Sequence, residues 1–173
     1  MKSALKYVDE ADKALGIAGM AISLVACDGE DFLAAVSIVD GEDSLDMSDE
    51  FFFNGNQEFS AKLAWNEMLK QFQLTAGMLL GNVMCRAYAA GHSPSHDTLD
   101  AVRRLIREEG SEHCSLDRDE ADAIYEKDYD YYSRLFAHPT VAEVARNFAL
   151  ILRTRRRLNA AEVLDNLRRL NSL

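Results

Sequence analysis

The feature that most constrains this chain is the run from Leu74 to Ala90, the second half of a helix predicted to span residues 57–90. Apolar residues recur in this helix at steps of three, four and seven, and beyond Leu74 nearly every face is apolar. A helix that is apolar on every face is buried on all sides. The sequence therefore predicts a central helix, in which Gly77 and Gly81, one turn apart, admit another backbone at close range.

Four more helices are indicated by residues that favour helix starts and ends. A capping residue followed three positions later by Glu satisfies two free backbone donors at a helix start. This spacing occurs at Asp117 with Glu120, Thr140 with Glu143, and Asn159 with Glu162. Ser93-Pro94 indicates a further start, and helix ends are indicated at Gly91, Gly110 and Pro139. The predicted helices span residues 94–109, 117–137, 140–157 and 159–171.

The first 56 residues have a different pattern. A helix is predicted near residues 3–15. The apolar runs 17–27 and 32–39 are separated by four turn-forming residues, which is typical of a β-hairpin. Alanines in these runs favour a helix instead, so residues 17–39 remain open between strand and helix. A third short strand is predicted at residues 51–53, followed by a turn at 54–56.

The acidic tetrapeptide Asp-Gly-Glu-Asp occurs twice, at residues 28–31 and 40–43. An EF-hand loop needs oxygen ligands at positions 1 and 3 when glycine is at position 6, and both alignments place apolar residues there. Eight residues of strand between the tetrapeptides would also hold them roughly 26 Å apart. We therefore predict that they are turns at the two ends of a strand spanning Phe32 to Val39.

Together these elements predict a mainly α domain of the α+β class. A single domain spans residues 1–173, a length that buries a sizeable core. Its N-terminal subregion, residues 1–56, is predicted to contain a helix and a small antiparallel hairpin or meander. Residues 57–173 are predicted to form a five-helix bundle around the buried central helix.

Composition and charge limit the classes of function. Apolar residues make up 48% and charged residues 28% of the chain, which is the balance of a folded globular protein. Three widely spaced cysteines favour a reducing compartment, so we predict a cytoplasmic protein. The apolar runs are shorter than the roughly 18 residues that a membrane span needs.

The net charge of −10 is unevenly distributed along the chain. Residues 1–60 carry 13 acidic and 3 basic side chains, whereas residues 139–173 carry 3 acidic and 7 basic ones. This asymmetry is typical either of solvated faces with some pairing between the two ends, or of a partner of opposite charge at one end.

Candidate catalytic residues are few. The soft metal ligands are His92, His96, His113 and Cys114, and their spacing does not match the tight pairs of a structural zinc site. Cys114 lies beside His113 and before a predicted helix start, where a thiol pKa can fall, but three nearby acids oppose a thiolate. The sequence contains no glycine-rich phosphate loop or dinucleotide motif, and no cofactor is predicted. A metal-dependent enzyme using these residues remains an alternative.

Two clusters are candidate binding surfaces. Tyr125, Tyr129 and Tyr132 share one stripe of a predicted helix, which indicates core packing or, if the stripe faces solvent, a protein-binding surface. The second cluster is the densest positive one and comprises Arg153, Arg155, Arg156 and Arg157.

This arginine cluster predicts either anion or nucleic-acid binding, or pairing with acids of other helices. The preceding segment, residues 140–148, is similar to the start of a helix-turn-helix but lacks the glycine-bearing turn. The acidic chain as a whole would repel phosphates, so nucleic-acid binding is not favoured.

The function expected from the sequence is that of a non-enzymatic protein-interaction or adaptor module. Its surfaces would be the acidic start, the tyrosine stripe or the arginine end. Self-association into a homo-oligomer is also expected.

Overall fold

The computed structural model of this protein describes residues 6–52 and 61–172. It confirms the mainly α (α+β) class, with six α-helices and a small antiparallel sheet in the described ranges. The helices are α1 Glu10–Ala26, α2 Ala61–Ala89, α3 His96–Cys114, α4 Arg118–Ala137, α5 Pro139–Arg155 and α6 Ala160–Leu167. The strands are β1 Leu33–Ser37, β2 Leu45–Met47 and β3 Arg157–Asn159. Short 3-10 helices span Glu30–Phe32, Asp49–Phe51 and Arg168–Ser172. Within these ranges, no helix combines the length and apolarity needed to cross a bilayer.

The predicted central helix is confirmed. The second half of α2 is buried on almost all sides, with Leu80 and Met84 fully enclosed. The predicted close approach of another backbone is confirmed at Gly81, whereas Gly77 admits a side chain instead. A Cβ added at Gly81 would lie 2.5 Å from the backbone oxygen of Gly19 on α1, and a Cβ added at Gly77 would lie 2.3 Å from the hydroxyl of Tyr132 on α4.

The predicted strand at residues 17–27 is wrong, because α1 runs continuously from Glu10 to Ala26. The side chain of Asp9 accepts a hydrogen bond from the backbone N–H of Asp12 and caps this helix. Residues 16–24 of α1 are buried on every face, since α1 packs against both α2 and α5. Burial on all faces removes the 3.6-residue period that separates a helix from a buried strand. The alanines, which favoured a helix, were the correct signal.

The strand predicted between the two acidic tetrapeptides is confirmed as β1, shortened to Leu33–Ser37. The first tetrapeptide forms a turn that continues into a 3-10 helix, and the second contains Gly41 at φ +89°. Neither tetrapeptide lies within the strand. They are turns, as predicted.

The partners of β1 differ from those predicted. The sheet order is β2-β1-β3, and both pairings are antiparallel. Val36 faces Leu45 on one side and Leu158 on the other. The third strand comes from the far end of the chain, so the sheet joins the N-terminal subregion to the bundle. A three-residue strand beside a helix start has too short a pattern to be read from sequence.

The strand predicted at residues 51–53 is wrong at Phe51, which ends the 3-10 helix Asp49–Phe51. Phe51 makes an edge-on contact with Phe32, with ring centroids 5.7 Å apart, so its aromatic side chain packs without strand geometry. The rest of that segment from Phe53 on, including the turn predicted at residues 54–56, lies outside the described residues.

Two of the three predicted capping boxes are confirmed. Asp117 with Glu120 and Asn159 with Glu162 each exchange both side chain-to-backbone hydrogen bonds. The third, at Thr140, is wrong. Pro139 occupies the first turn of α5, and His138 caps this helix by accepting a hydrogen bond from the backbone N–H of Thr140.

Two other boundary predictions are also wrong. The cap of α3 is Ser95, two residues after the predicted Ser93, because the side chain of Ser95 accepts from the N–H of Thr98. The helix then continues through Gly110, where the absent side chain makes room for the ring of Phe72, and ends at Cys114.

Replacing Gly19 by alanine tests the close contact between α1 and α2. The new Cβ would lie 2.1 Å from the carbonyl oxygen of Gly81, a backbone atom that cannot rotate away. We expect Gly19→Ala to lower the free energy of unfolding by about 1–3 kcal/mol, a typical cost of overpacking. Helix propensity alone would raise it by about 1 kcal/mol. Urea unfolding followed by circular dichroism measures whether the free energy of unfolding falls or rises.

A graded control is Gly110→Ala, whose Cβ would lie 3.0 Å from the ring edge of Phe72 and therefore needs a smaller adjustment. We expect Gly110→Ala to lower the free energy of unfolding by less than Gly19→Ala does. Equal or greater stability of Gly19→Ala relative to the unchanged protein would contradict the proposed role of the contact.

Candidate ligand-binding cleft

A cleft of about 510 Å³ lies where the end of α1 meets α2 and α4. Its walls combine aromatic rings, a thiol and charged groups. The lining residues that define it are Cys27, Lys70, Lys127, Asp128, Tyr131 and Tyr132. We call it the tyrosine cleft.

Two consecutive tyrosines on α4 form the floor and the rim of this cleft. Neighbouring residues on a helix point about 100° apart, because the helix has 3.6 residues per turn. Tyr132 therefore turns inward and is 1% exposed, whereas Tyr131 remains 40% exposed. Their rings meet edge to face, with centroids 5.1 Å apart.

Both tyrosines bind the end of α1. The hydroxyl of Tyr132 lies 3.0 Å from the Sγ of Cys27, and the hydroxyl of Tyr131 donates to the carbonyl oxygen of Ala26 at 3.3 Å. The ring of Tyr132 reaches this position by passing over Gly77, where any larger residue would block its hydroxyl. The cleft is thus built on helices whose relative positions are fixed by packing.

Asp128 contributes a carboxyl group with a raised pKa to the cleft. It is half-buried, and burial raises the pKa of its carboxyl group to about 6, with the nearby positive charge of Lys127 acting in the opposite direction. Its carboxylate makes no hydrogen bond or ion pair with any other residue in the described part of the chain. At neutral pH the cleft therefore contains a carboxylate that is largely ionised and lacks a partner among these residues.

Two other polar groups of the cleft, the thiol of Cys27 and the hydroxyl of Tyr132, hold their protons. Burial raises the pKa of the Cys27 thiol, and the charge of Asp128 adds to this effect. Burial likewise raises the pKa of the Tyr132 hydroxyl. Since the reactive form of cysteine is the thiolate, this arrangement disfavours Cys27 as a nucleophile.

A second cavity of about 380 Å³ extends the cleft towards α5. It is lined by Tyr131, Arg134, Leu135, His138 and Val141. Tyr131 and Arg134 line both cavities, so the two form one surface along α4. We call the joined cavities the α4 groove.

The structure places the predicted tyrosine stripe mostly in the core. Tyr125 and Tyr132 are buried and Tyr129 is half-buried. Tyr125 stacks on Tyr129 with centroids 6.0 Å apart, and the guanidinium of Arg103 lies over its ring at 5.2 Å. Burial raises the pKa of Tyr125 to about 12. Of the three, only Tyr132 lines the cleft.

Sequence reasoning missed Asp128 and Cys27 as residues that line the tyrosine cleft. One signal was available on α4, because residues three or four apart share a helix face. Asp128 precedes Tyr131 and Tyr132 by three and four positions. No sequence signal linked Cys27, which lies 105 positions before Tyr132, to this helix.

The four predicted arginines are all engaged in ion pairs. Arg156 binds Glu10 at 2.7 Å, and Arg153 approaches the same carboxylate at 3.8 Å. Arg155 pairs with Glu162. The acidic start of the chain thus meets its basic end.

Arg157 extends this pattern to the sheet. It binds Glu42 and Asp46 at 2.9 Å each, holding the loop between β1 and β2 beside β3. These side chains remain about half exposed, so added salt will screen their charges.

The histidines and Cys114 do not converge. His96 pairs with Asp100, and His113 pairs with Glu109. Nδ1 of His92 lies 2.9 Å from the carbonyl oxygen of Ser93. Cys114 is buried at the end of α3, where burial raises its thiol pKa. Across residues 6–52 and 61–172, no three His, Cys, Asp or Glu side chains are grouped so that they could hold a metal ion.

Comparison of this chain with protein-family models, with curated proteins and with solved structures finds no match. The function is therefore inferred from the chemistry of the described residues.

Replacing Asp128 by asparagine tests the environment of its carboxyl group. A carboxyl pKa that is higher in the folded state than in the unfolded state costs stability as pH rises from about 4 to 6, since the unfolded chain ionises first. We expect Asp128→Asn to be more stable than the unchanged protein at pH 7 by about 2 kcal/mol, a value discounted for partial exposure, and to lose most of this advantage at pH 4. Urea unfolding at the two pH values measures the difference.

Asp119→Asn is the matched control, because it changes the same group on an exposed turn of α4 outside the cleft. Loss of a negative charge near a helix N-terminus should lower stability slightly at pH 7. If the stability difference between Asp128→Asn and the unchanged protein is the same at pH 4 and pH 7, the carboxyl of Asp128 does not have the raised pKa.

Proposed function

We propose that this protein is a non-enzymatic interaction module that binds a segment of a partner protein along the α4 groove. The observation that carries this proposal is the tyrosine cleft itself. It places a half-exposed aromatic rim, Tyr131, beside an unpartnered carboxylate, Asp128, on packed helices. Tyrosine is among the residues enriched at protein-binding hot spots.

The shape of the groove favours an extended ligand. Two cavities meet at Tyr131 and Arg134 and follow α4 from its contact with α2 to the start of α5. A compact small molecule would fill one cavity only. A polypeptide segment crossing the ring of Tyr131 could contact both.

We also propose that this protein is located in the cytoplasm. All three cysteines, Cys27, Cys85 and Cys114, are free thiols. Free thiols are typical of reducing compartments, which supports a cytoplasmic protein. A second copy of this chain is one candidate for the partner, and light scattering of the purified protein measures whether it self-associates.

The arginine cluster supports this proposal less well than the cleft does. Binding an anion or nucleic acid there would require Arg153, Arg155, Arg156 and Arg157 to release carboxylates that they already hold. Retention on heparin at low salt, lost when all four become alanine, would favour this alternative function. A metal-dependent reaction would likewise require the separate His92, His96, His113 and Cys114 to move together.

Tyr131→Ala tests the proposed binding surface. Its side chain is a rim group, so removing it should leave the core intact while removing the largest aromatic contact of the groove. Truncation of a central hot-spot residue costs about 2 kcal/mol or more, which is at least tenfold in Kd. We expect a partner captured from lysate by the unchanged protein to be lost by Tyr131→Ala, and the purified partner to bind at least tenfold more weakly.

Leu150→Ala is the matched control, because Leu150 is a large apolar side chain on α5 that is 61% exposed and does not line the groove. It should capture the same partner as the unchanged protein. Identical capture by all three proteins would count against the groove as the binding surface.

A further inference from the structure

We propose that the tyrosine cleft recognises an organic cation, specifically a lysine or arginine side chain of the partner segment, which binds between Asp128 and the ring of Tyr131. This inference rests on the proposed function and adds the chemistry of the partner residue that the cleft selects. The ligand group has an apolar stem and a positive head. The cleft provides matching surfaces for both.

The carboxylate of Asp128 is the first part of the site. It lies in the cleft half-buried, and no side chain or backbone group in residues 6–52 or 61–172 donates a hydrogen bond to it, so that only burial and the nearby charge of Lys127 act on its pKa. A carboxylate that is partly removed from water and has no protein hydrogen bond is less stable than a paired one, and a bound cation would supply hydrogen bonds and an opposite charge. The ligand would thereby remove a cost that the free protein carries.

The tyrosine rings are the second part. Tyr131 is half exposed at the rim, and its hydroxyl is held by Ala26, so the ring keeps a fixed orientation over the cleft. A cation near an aromatic face is attracted by the negative π surface of the ring. Leu74 and Ile124 line the same cleft and offer apolar surface to the methylene stem.

The cations already in the cleft do not occupy this position. The ammonium group of Lys70 lies over the ring of Phe32, 5.0 Å from its centroid. Arg134 pairs with Asp130 at 3.0 Å. Lys127 is exposed and makes no ion pair with another residue of the described ranges. Lys127 is therefore the internal competitor that a ligand cation must displace or tolerate.

The charge of the whole protein assists the same ligand class. The net charge of −10 raises the local concentration of cations around the chain and speeds their association. The charged and titratable groups that line the cleft together with Asp128 are Cys27 at the end of α1, Lys70 on α2, and Lys127, Asp130, Tyr131, Tyr132 and Arg134 on α4. Because the carboxyl of Asp128 titrates near pH 6, the binding of a cation should weaken as the pH falls through this value.

The test uses small fragments that represent single side chains. n-Butylammonium and n-butylguanidinium stand for the ends of lysine and arginine, pentanamide is the neutral counterpart, and pentanoate is the anionic one. Binding to the ¹⁵N-labelled full chain is followed by amide shifts of Cys27, Asp128 and Tyr131 in two-dimensional NMR spectra. We expect both cations to bind at pH 7.5, and pentanamide and pentanoate to bind at least tenfold more weakly.

Two further arms assign the effect to Asp128. At pH 5 about a tenth of a carboxyl group with a pKa near 6 is ionised, so cation affinity should fall about tenfold. Asp128→Asn should show the same loss already at pH 7.5, whereas Asp119→Asn should bind like the unchanged protein. Any pH dependence left in Asp128→Asn belongs to groups other than Asp128.

Some outcomes would overturn this inference. Equal binding of cations and pentanamide, or unchanged cation binding by Asp128→Asn, would show that Asp128 does not select the ligand. Tighter binding of pentanoate, lost in Lys127→Gln, would assign the cleft to an anion instead.

Failure of this inference and failure of the proposed function are distinguishable. A partner protein captured through Tyr131 but insensitive to Asp128→Asn would preserve the interaction module and remove only the cation. If the cationic fragments bind but Tyr131→Ala captures the same proteins as the unchanged chain, the cation site is kept and the protein-interaction role is removed.

Discussion

The contact between α1 and α2 at Gly19 and Gly81 sets the spacing of the whole core. The backbones approach so closely that a single added carbon at either glycine would overlap the other helix. Nearby, Asn82 donates to the hydroxyl of Tyr7, and Arg86 binds both oxygens of Asp12 at 2.6 Å each. The buried hydroxyl of Ser23, which lies against Gly81, has no hydrogen-bond partner among the described residues. With α1 held against α2, helices α3, α4 and α5 pack around this pair. The buried central unit is therefore two helices rather than the one that the sequence indicated.

The position of α1 also determines where the cleft forms. The helix ends at Ala26, and the backbone N–H of Gly29 closes it by donating to the carbonyl oxygen of Leu24 at 2.9 Å. Gly29 itself packs against Leu24 and Leu74 with no room for a side chain. This fixed end brings Cys27 to Tyr132 and exposes the carbonyl oxygen of Ala26 to Tyr131. A strand in this region, as the sequence suggested, would have left the two tyrosines without these partners.

The two ends of the chain are joined by β-pairing and by charge. The backbone N–H of Ile38 donates to the carbonyl oxygen of Arg156, which adopts a positive φ of 69° where α5 turns into β3. The side chains of Arg156 and Arg157 then bind acids of the first 46 residues. The opposite charges at the two ends of the sequence therefore pair with each other within the chain. Four of the positive charges that suggested an anion-binding surface are held within the fold, which leaves the α4 groove as the better-supported surface for a partner.

The sequence by itself determined the features that depend on local chemistry. Capping boxes at Asp117 and Asn159, the buried second half of α2, and the strand between the acidic turns follow from short-range patterns, and the structure confirms them. Tertiary structure decided that residues 17–26 are helical, because a segment buried on every face has no period to read and the sequence offered only its alanines in favour of a helix. It also decided the pairing of β1 with β3 and the meeting of Cys27 with Asp128 and Tyr132. These contacts join residues about a hundred or more positions apart, and no local pattern encodes which distant residues will meet.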